Sequence, residues 1–170
     1  IPLILNANGS KMSKRDEGAS IGTYIEEQYL PEALVNFLCL LGWSPKDDTE
    51  ILEMKAVIQL FDLPQILRHN AKFDMEKLQW MNGEYMGKIA PSRYESLARN
   101  TFQSAGYALG QKSQSFIQEA IGTTQGKTRV LKDLPNYAGF YFLEDSDIEY
   151  DQDAAAKHLV QDNLEGAQKI

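Results

Sequence analysis

Apolar residues along this chain recur mostly at helical spacing, with one short exception at its start. Ile1-Pro2-Leu3-Ile4-Leu5 reads as a strand, and Asn6-Ala7-Asn8-Gly9-Ser10 as the turn that follows it. Ser20 stands where it can cap a short helix through about Tyr29, and Pro31 takes the favoured first position of the next. There Leu34, Phe37, Leu38 and Leu41 fall at i, i+3, i+4 and i+7, which predicts one apolar face, with Gly42 as a left-handed cap. Ser44 to Asp48 is a polar turn. A helix is predicted from about Glu53 to Phe61, broken at Leu63-Pro64. Another runs from Asp74 to Tyr85, with Asp74 as N-cap and Leu78, Met81 and Tyr85 as its apolar row. Ser92-x-x-Glu95 has capping-box form and opens a helix to about Ala105. Ser113 to Ile121, Leu131 to Phe142 and Asp153 to Leu164 complete the set, with Pro135 early enough in its helix for the missing N–H to be tolerated. The acidic stretch Glu144 to Asp153 reads as a loop or linker. The pattern as a whole predicts a mostly α fold with a short N-terminal strand and loop.

Composition narrows the class. With 170 residues, 43% hydrophobic and 24% charged, the chain fits one soluble globular domain, or one domain and part of another. No apolar run approaches the ~18 residues that cross a bilayer. The longest, Leu34 to Gly42, is interrupted by Asn36. Ile1 to Leu5 has no basic leader, so a signal peptide is not expected. The single cysteine, Cys39, excludes an intrachain disulfide and a cysteine-rich zinc site, and its apolar helical setting predicts a buried, inert thiol. A cytoplasmic protein, monomeric and with no membrane or metal site, is the expectation. The chain has no initiator Met and opens within a strand, which reads as a piece of something longer.

Charge changes the picture more. The net charge is −7, yet residues 88–132 carry seven Lys/Arg against two Asp/Glu, while the segments on either side are acidic. Such a basic middle reads either as a solvated helical face or as a surface that meets a polyanion.

The stretch Asn8-Gly9-Ser10-Lys11-Met12-Ser13-Lys14-Arg15 raises a second possibility. Lys11 and Lys14 stand three apart in loop composition, Gly9 permits close backbone approach and Ser13 adds a hydroxyl. A flexible lysine can follow charge as it builds on a leaving pyrophosphate. A loop that closes over ATP and reopens also needs mobility. Taken alone, the same residues read first as a solvated basic turn.

The full string is more specific. Lys11-Met12-Ser13-Lys14-Arg15 resembles the KMSKS signature of class I aminoacyl-tRNA synthetases, in a variant ending in Arg. Residues 13–21, 29–38 and 41–44, then Phe73-Asp74-Met75-Glu76-Lys77-Leu78 and Trp80-Met81-Asn82-Gly83-Glu84-Tyr85, resemble bacterial glutamyl-tRNA synthetase, in order, to about residue 160. The resemblance implies a loop and stem-contact region over residues 1–65 and a helical anticodon-binding domain over residues 66–150. Residues 151–170 would begin a further anticodon-binding subdomain.

It also implies roles. The whole enzyme would join glutamate to ATP, with Mg2+, and pass glutamate to the 3′ end of tRNA-Glu. Lys14 matches the signature lysine that stabilises the triphosphate, and Met12 the position whose backbone lies near adenine. Lys11, Ser13 and Arg15 complete the ATP-binding loop. Asp16 and Glu17 are expected to face away from phosphate or to pair with Arg15. Lys127 matches a basic anticodon-reading position at the start of a helix spanning Gly126 to Lys132, with Arg129 and Lys132 beside it. Trp80, Asn82, Tyr85 and Lys88 are further tRNA-facing candidates, and Trp80 reads equally as core. The family's His-Ile-Gly-His motif is missing here, since His69 and His158 stand alone. The chain by itself is therefore expected to be inactive, with no cofactor bound and the loop reaching into water. A glutaminyl-tRNA synthetase fragment and a helical interaction module are the alternatives.

Overall fold

A computed structural model describes residues 3–16 and 18–144, together with Asp147 and Asp153. The helix expected over Asp153 to Leu164 lies outside the described residues, as does Glu17. Among the described residues the fold is seven α-helices and one two-stranded parallel sheet. The strand β1 (Ile4–Leu5) pairs with β2 (Ala71–Lys72), Ile4 opposite Ala71 and Leu5 opposite Lys72. The second strand carries no sequence signal, because two residues are too few for an alternation to register.

Helices α1 (Ile21–Glu26) and α2 (Pro31–Leu40) follow the N-terminal loop, and α2 takes Pro31 in its first turn as expected. α1 is shorter than predicted, and Ser20 makes no side-chain cap bond. The α2 row is rotated from the predicted one. Ala33, Asn36 and Phe37 are buried while Leu38 is 42% exposed, because α2 packs against α4 (Met75–Lys88) through that side. Gly42 is not a left-handed cap. Its carbonyl accepts from Leu67 N at 2.9 Å, beside an antiparallel bridge from Trp43 to Ile66. The left-handed glycine cap stands instead at Gly106 (φ +91°), after α5 (Pro91–Ser104). There the Gly106 N–H donates to Gln103 O and the Tyr107 N–H to Phe102 O, the pairing of a Schellman end.

α3 (Met54–Leu60) is bounded as predicted, and Leu63–Gln65 forms a 3-10 turn at the expected break. Asp74 caps α4 by accepting from Lys77 N at 3.0 Å. The capping box at Ser92 does not form. α5 begins with Pro91 after Ala90, and Glu95 pairs with Arg99 at 2.7 Å instead of reaching back. Ser113 caps α6 (Gln114–Gly122) by accepting from Phe116 N. The predicted Leu131–Phe142 helix is interrupted. It is a 3-10 turn, the short α7 (Leu134–Ala138), and a second 3-10 turn over Gly139–Phe142.

Among the described residues the two larger of three apolar clusters organise the fold. One gathers Tyr24, Phe37, Phe73, Leu78 and Met81. The other runs from Leu30 and Ala33 through Met86, Tyr94, Phe102, Ile121 and Leu134. α2 and α4 contribute to both, so elements from either side of residue 65 share core. Cys39 is only partly buried, against Trp43, Leu52 and Val57. Among the described residues no helix is long and apolar enough to cross a membrane.

Candidate functional site

The Lys11–Arg15 loop grows directly out of β1. Asn6 N donates to Ser10 O at 2.8 Å and Gly9 N to Asn6 O at 2.9 Å, which closes the turn. Leu5 bridges Lys11, and Met12 N donates to Ile4 O at 2.9 Å. The Met12 side chain packs on the cluster around Tyr24 and Phe73. Its apolar side chain therefore anchors the loop in the core and leaves its backbone at the rim. Gly9 stands open, with no atom within 4 Å of where a Cβ would lie, so no close approach depends on it.

The Asp16 carboxylate makes no ion pair with Arg15. It turns back to accept from Asn6 Nδ2 and from Ser13 N, both at 2.8 Å. The Asn6 bond, then the Ser13 bonds, hold the Asp16 carboxyl below the usual carboxylate range. The Ser13 hydroxyl accepts from Arg15 N at 3.3 Å. The loop is thus stapled across its base. Lys11, Lys14 and Arg15 are exposed, and none makes an ion pair among the described residues. The described part of the loop thus presents three unpaired cations, beside the one Asp16 carboxylate tied to Asn6 and Ser13.

Gly18 closes the segment. It adopts φ +84°, a Cβ there would meet Tyr24 Oη at 2.9 Å and Phe73 Cε1 at 3.1 Å, and the Tyr24 hydroxyl donates to its carbonyl. Gly18→Ala is expected to destabilise the fold by about 1–3 kcal/mol, combining left-handed strain with crowding. Urea unfolding checks this; an unchanged midpoint would mean the turn relaxes freely.

The second set of candidates lies around α4 and the turn after α6. Lys127 is not at a helix start. α6 ends at Gly122, residues 123–127 form a turn, and the next helical residues begin at Leu131. This turn is held by buried polar contacts that the sequence did not reveal. Asn82, wholly buried, accepts from Leu30 N at 2.9 Å and donates to Arg129 O. Gly83 gives Arg129 room, with Arg129 Cγ 3.5 Å from its ideal Cβ. Gln125 Nε2 donates to the carbonyls of Met86 and Ile89. Asn82 is therefore a buried structural tie, while Tyr85 is partly buried and lines an open cleft. The Tyr85 hydroxyl reaches Leu52 O and Asn36 Oδ1, and burial raises its pKa.

Lys127 and Arg129 are exposed, without ion pairs among the described residues. Lys132 is paired with Glu27 at 2.5 Å, which raises its pKa and takes up charge that the sequence reading left free. Lys88 stands 3.6 Å from Glu84 and lines an open cleft of about 880 Å3 with Val35, Ile51, Met54 and Arg93. No residue of the Lys11–Arg15 loop lines that cleft. Trp80 is 38% exposed and belongs to the surface. No hydrogen bond or ion pair among the described residues joins the Lys11–Arg15 loop to the 123–130 turn. They are two separate sites. No group of acidic, histidine or cysteine side chains suited to a metal occurs among the described residues.

A basic loop rising from a strand, followed by a helical body, has counterparts among known proteins. Residues 1–80 match the family described as tRNA synthetases class I (E and Q), catalytic domain. The match runs past residue 65, into α4. Over nearly its full length the chain is similar to glutamate–tRNA ligases. It is 42% identical to that of Methylacidiphilum infernorum over 159 residues, covering 94% of this chain and 35% of the relative. It is 41% identical to that of Akkermansia muciniphila, over 92% of this chain and 34% of the relative. The crystal structure of a glutamate tRNA ligase from Elizabethkingia meningosepticum, in complex with its amino acid, superposes with a TM-score of 0.80 at 28% identity, covering 98% of this chain and 36% of that one. The chain thus spans about a third of the length of the curated relatives it matches.

Proposed function

We propose that this chain is the part of a glutamate–tRNA ligase that supplies the signature loop to the ATP site and binds tRNA-Glu. The observation that carries this reading is Lys11-Met12-Ser13-Lys14-Arg15, held on a stapled loop, within a chain similar to such ligases from end to end. Lys14 and Lys11 hold the triphosphate of ATP, Arg15 adds charge, and Met12 fixes the loop backbone. As pyrophosphate separates, negative charge grows on its oxygens, and an exposed ammonium on a flexible stem strengthens its contact with them. Mg2+ would come with the nucleotide. The His-Ile-Gly-His motif would belong to another part of the enzyme, so this chain alone makes no adenylate. Residues 1–65 carry the loop and the stem-contact region, residues 66–150 form the helical anticodon-binding domain, and residues 151–170 begin a further anticodon-binding subdomain. Lys127, Arg129 and Lys88, with Trp80 as a stacking surface, meet tRNA, while Lys132 first has to leave Glu27. A cytoplasmic monomer fits this role.

Lys127→Ala is expected to weaken tRNA-Glu binding by about tenfold and to lower the salt slope of log K by about one unit. A fluorescence titration of this chain at several salt concentrations reads both. Binding that is absent at low salt, or independent of salt, would favour a helical interaction module instead. Charging by the full-length ligase with glutamate against glutamine separates the glutaminyl alternative.

A further inference from the structure

The turn that carries Lys127 and Arg129 has no sheet or long helix to stiffen it. Besides the Asn82 and Gln125 bonds, its order comes from hydroxyls. Tyr94 on α5 is 1% exposed, and its hydroxyl lies 2.7 Å from Thr124 Oγ1 and 2.5 Å from Thr128 Oγ1. Thr124 donates to Ile121 O at 2.6 Å and Thr128 to Thr124 O at 2.8 Å, so both side chains also grip the turn's own backbone. Thr128 shares a further bond, at 2.7 Å, with the hydroxyl of Tyr137, which is 41% exposed. The chain of hydroxyls therefore runs from the core to the surface and brackets Lys127 on both sides in sequence.

We propose that Tyr94 is a positioning residue for nucleic-acid binding: wedged between Thr124 and Thr128, its hydroxyl sets the turn from which Lys127 and Arg129 reach tRNA. The inference rests on the tRNA-binding reading above. Tyr94 touches no nucleic acid itself. It acts by removing conformations of the turn that would otherwise be frozen out on binding. A buried hydroxyl network of this kind is effective because each member that loses its partner is left unsatisfied in a medium of low polarity.

The test uses Tyr94→Phe and Tyr137→Phe in this chain, with Lys127→Ala as reference. Affinity for a tRNA-Glu transcript is read well below the melting temperature, together with amide exchange at residues 124–129 and in α2. Tyr94→Phe is expected to weaken binding about 3- to 10-fold, the equivalent of one net hydrogen bond. Exchange should quicken in the turn while α2 keeps its protection, a pattern that general loss of stability would not give. Should Tyr94→Phe fail to fold, Tyr137→Phe decides, with a smaller loss of affinity and the same local exchange. If the folded tyrosine variants bind within twofold of the parent while Lys127→Ala does not, the positioning role is overturned and the tRNA reading stands. If Lys127→Ala also binds like the parent, the tRNA reading itself is overturned.

Discussion

Replacing Lys14 by alanine in the full-length ligase is expected to slow ATP–pyrophosphate exchange about 10²- to 10³-fold while changing tRNA-Glu affinity less than about twofold. The magnitude is that of removing one preorganised donor from a site where charge develops, about 3–4 kcal/mol. The asymmetry follows from the structure. Lys14 is exposed, free of ion pairs among the described residues, and on a loop that shares no bond with the 123–130 turn. Its ammonium pairs with no described residue, which leaves it available to phosphate. Lys14→Arg should retain part of the rate, since charge persists but the fork follows a moving pyrophosphate less well than an ammonium does. Equal losses in exchange and in tRNA affinity would contradict the separation of the two sites.

Asn82→Leu is expected to lower the unfolding free energy of this chain by about 2–5 kcal/mol. The substitution conserves volume roughly but leaves Leu30 N–H and Arg129 C=O without their partner, and each buried group so orphaned costs about 1–3 kcal/mol. Asn82 links the start of α2 to the turn carrying Arg129, so both ends loosen together. Urea unfolding followed by circular dichroism measures the loss. A change under about 0.5 kcal/mol would indicate that water or a neighbouring group replaces both bonds. The variant also distinguishes a buried tie from a tRNA contact, since a surface contact group would alter affinity and leave stability untouched.

Much of the fold was legible in the sequence for local reasons. Asp74, Ser113 and Pro31 announce helix starts because their effect depends on a few neighbouring backbone groups. The failures have two causes, long-range packing and competition from close neighbours. Gly42 read as a cap, but its carbonyl was claimed by Leu67, twenty-five residues on in the chain. Glu95 read as half of a capping box, but Pro91 opened α5 earlier and Arg99 drew the carboxylate along the helix. In the predicted Leu131–Phe142 helix, tight packing intervened. A Cβ on Gly139 would fall 2.2 Å from Tyr107 Oη, so that backbone lies against another element's side chain. At Gly42 and Gly139 a local preference is overridden by a partner distant in sequence, whereas the capping box loses to neighbours on its own helix.

The candidate site divides the same way. The string Lys11 to Arg15 needs only its own order of residue types to suggest phosphate chemistry, and the sequence by itself determined that much, along with the mostly helical class and the basic character of residues 88–132. Tertiary structure decided which of those charges are available. It turned Asp16 onto Asn6 and Ser13, paired Lys132 with Glu27, buried Asn82 and left Lys14, Lys127 and Arg129 in solvent. Charge and periodicity are properties of residues in order along the chain. Pairing and burial depend on which residues the packed helices bring within a few ångströms, and that is set only when the core closes.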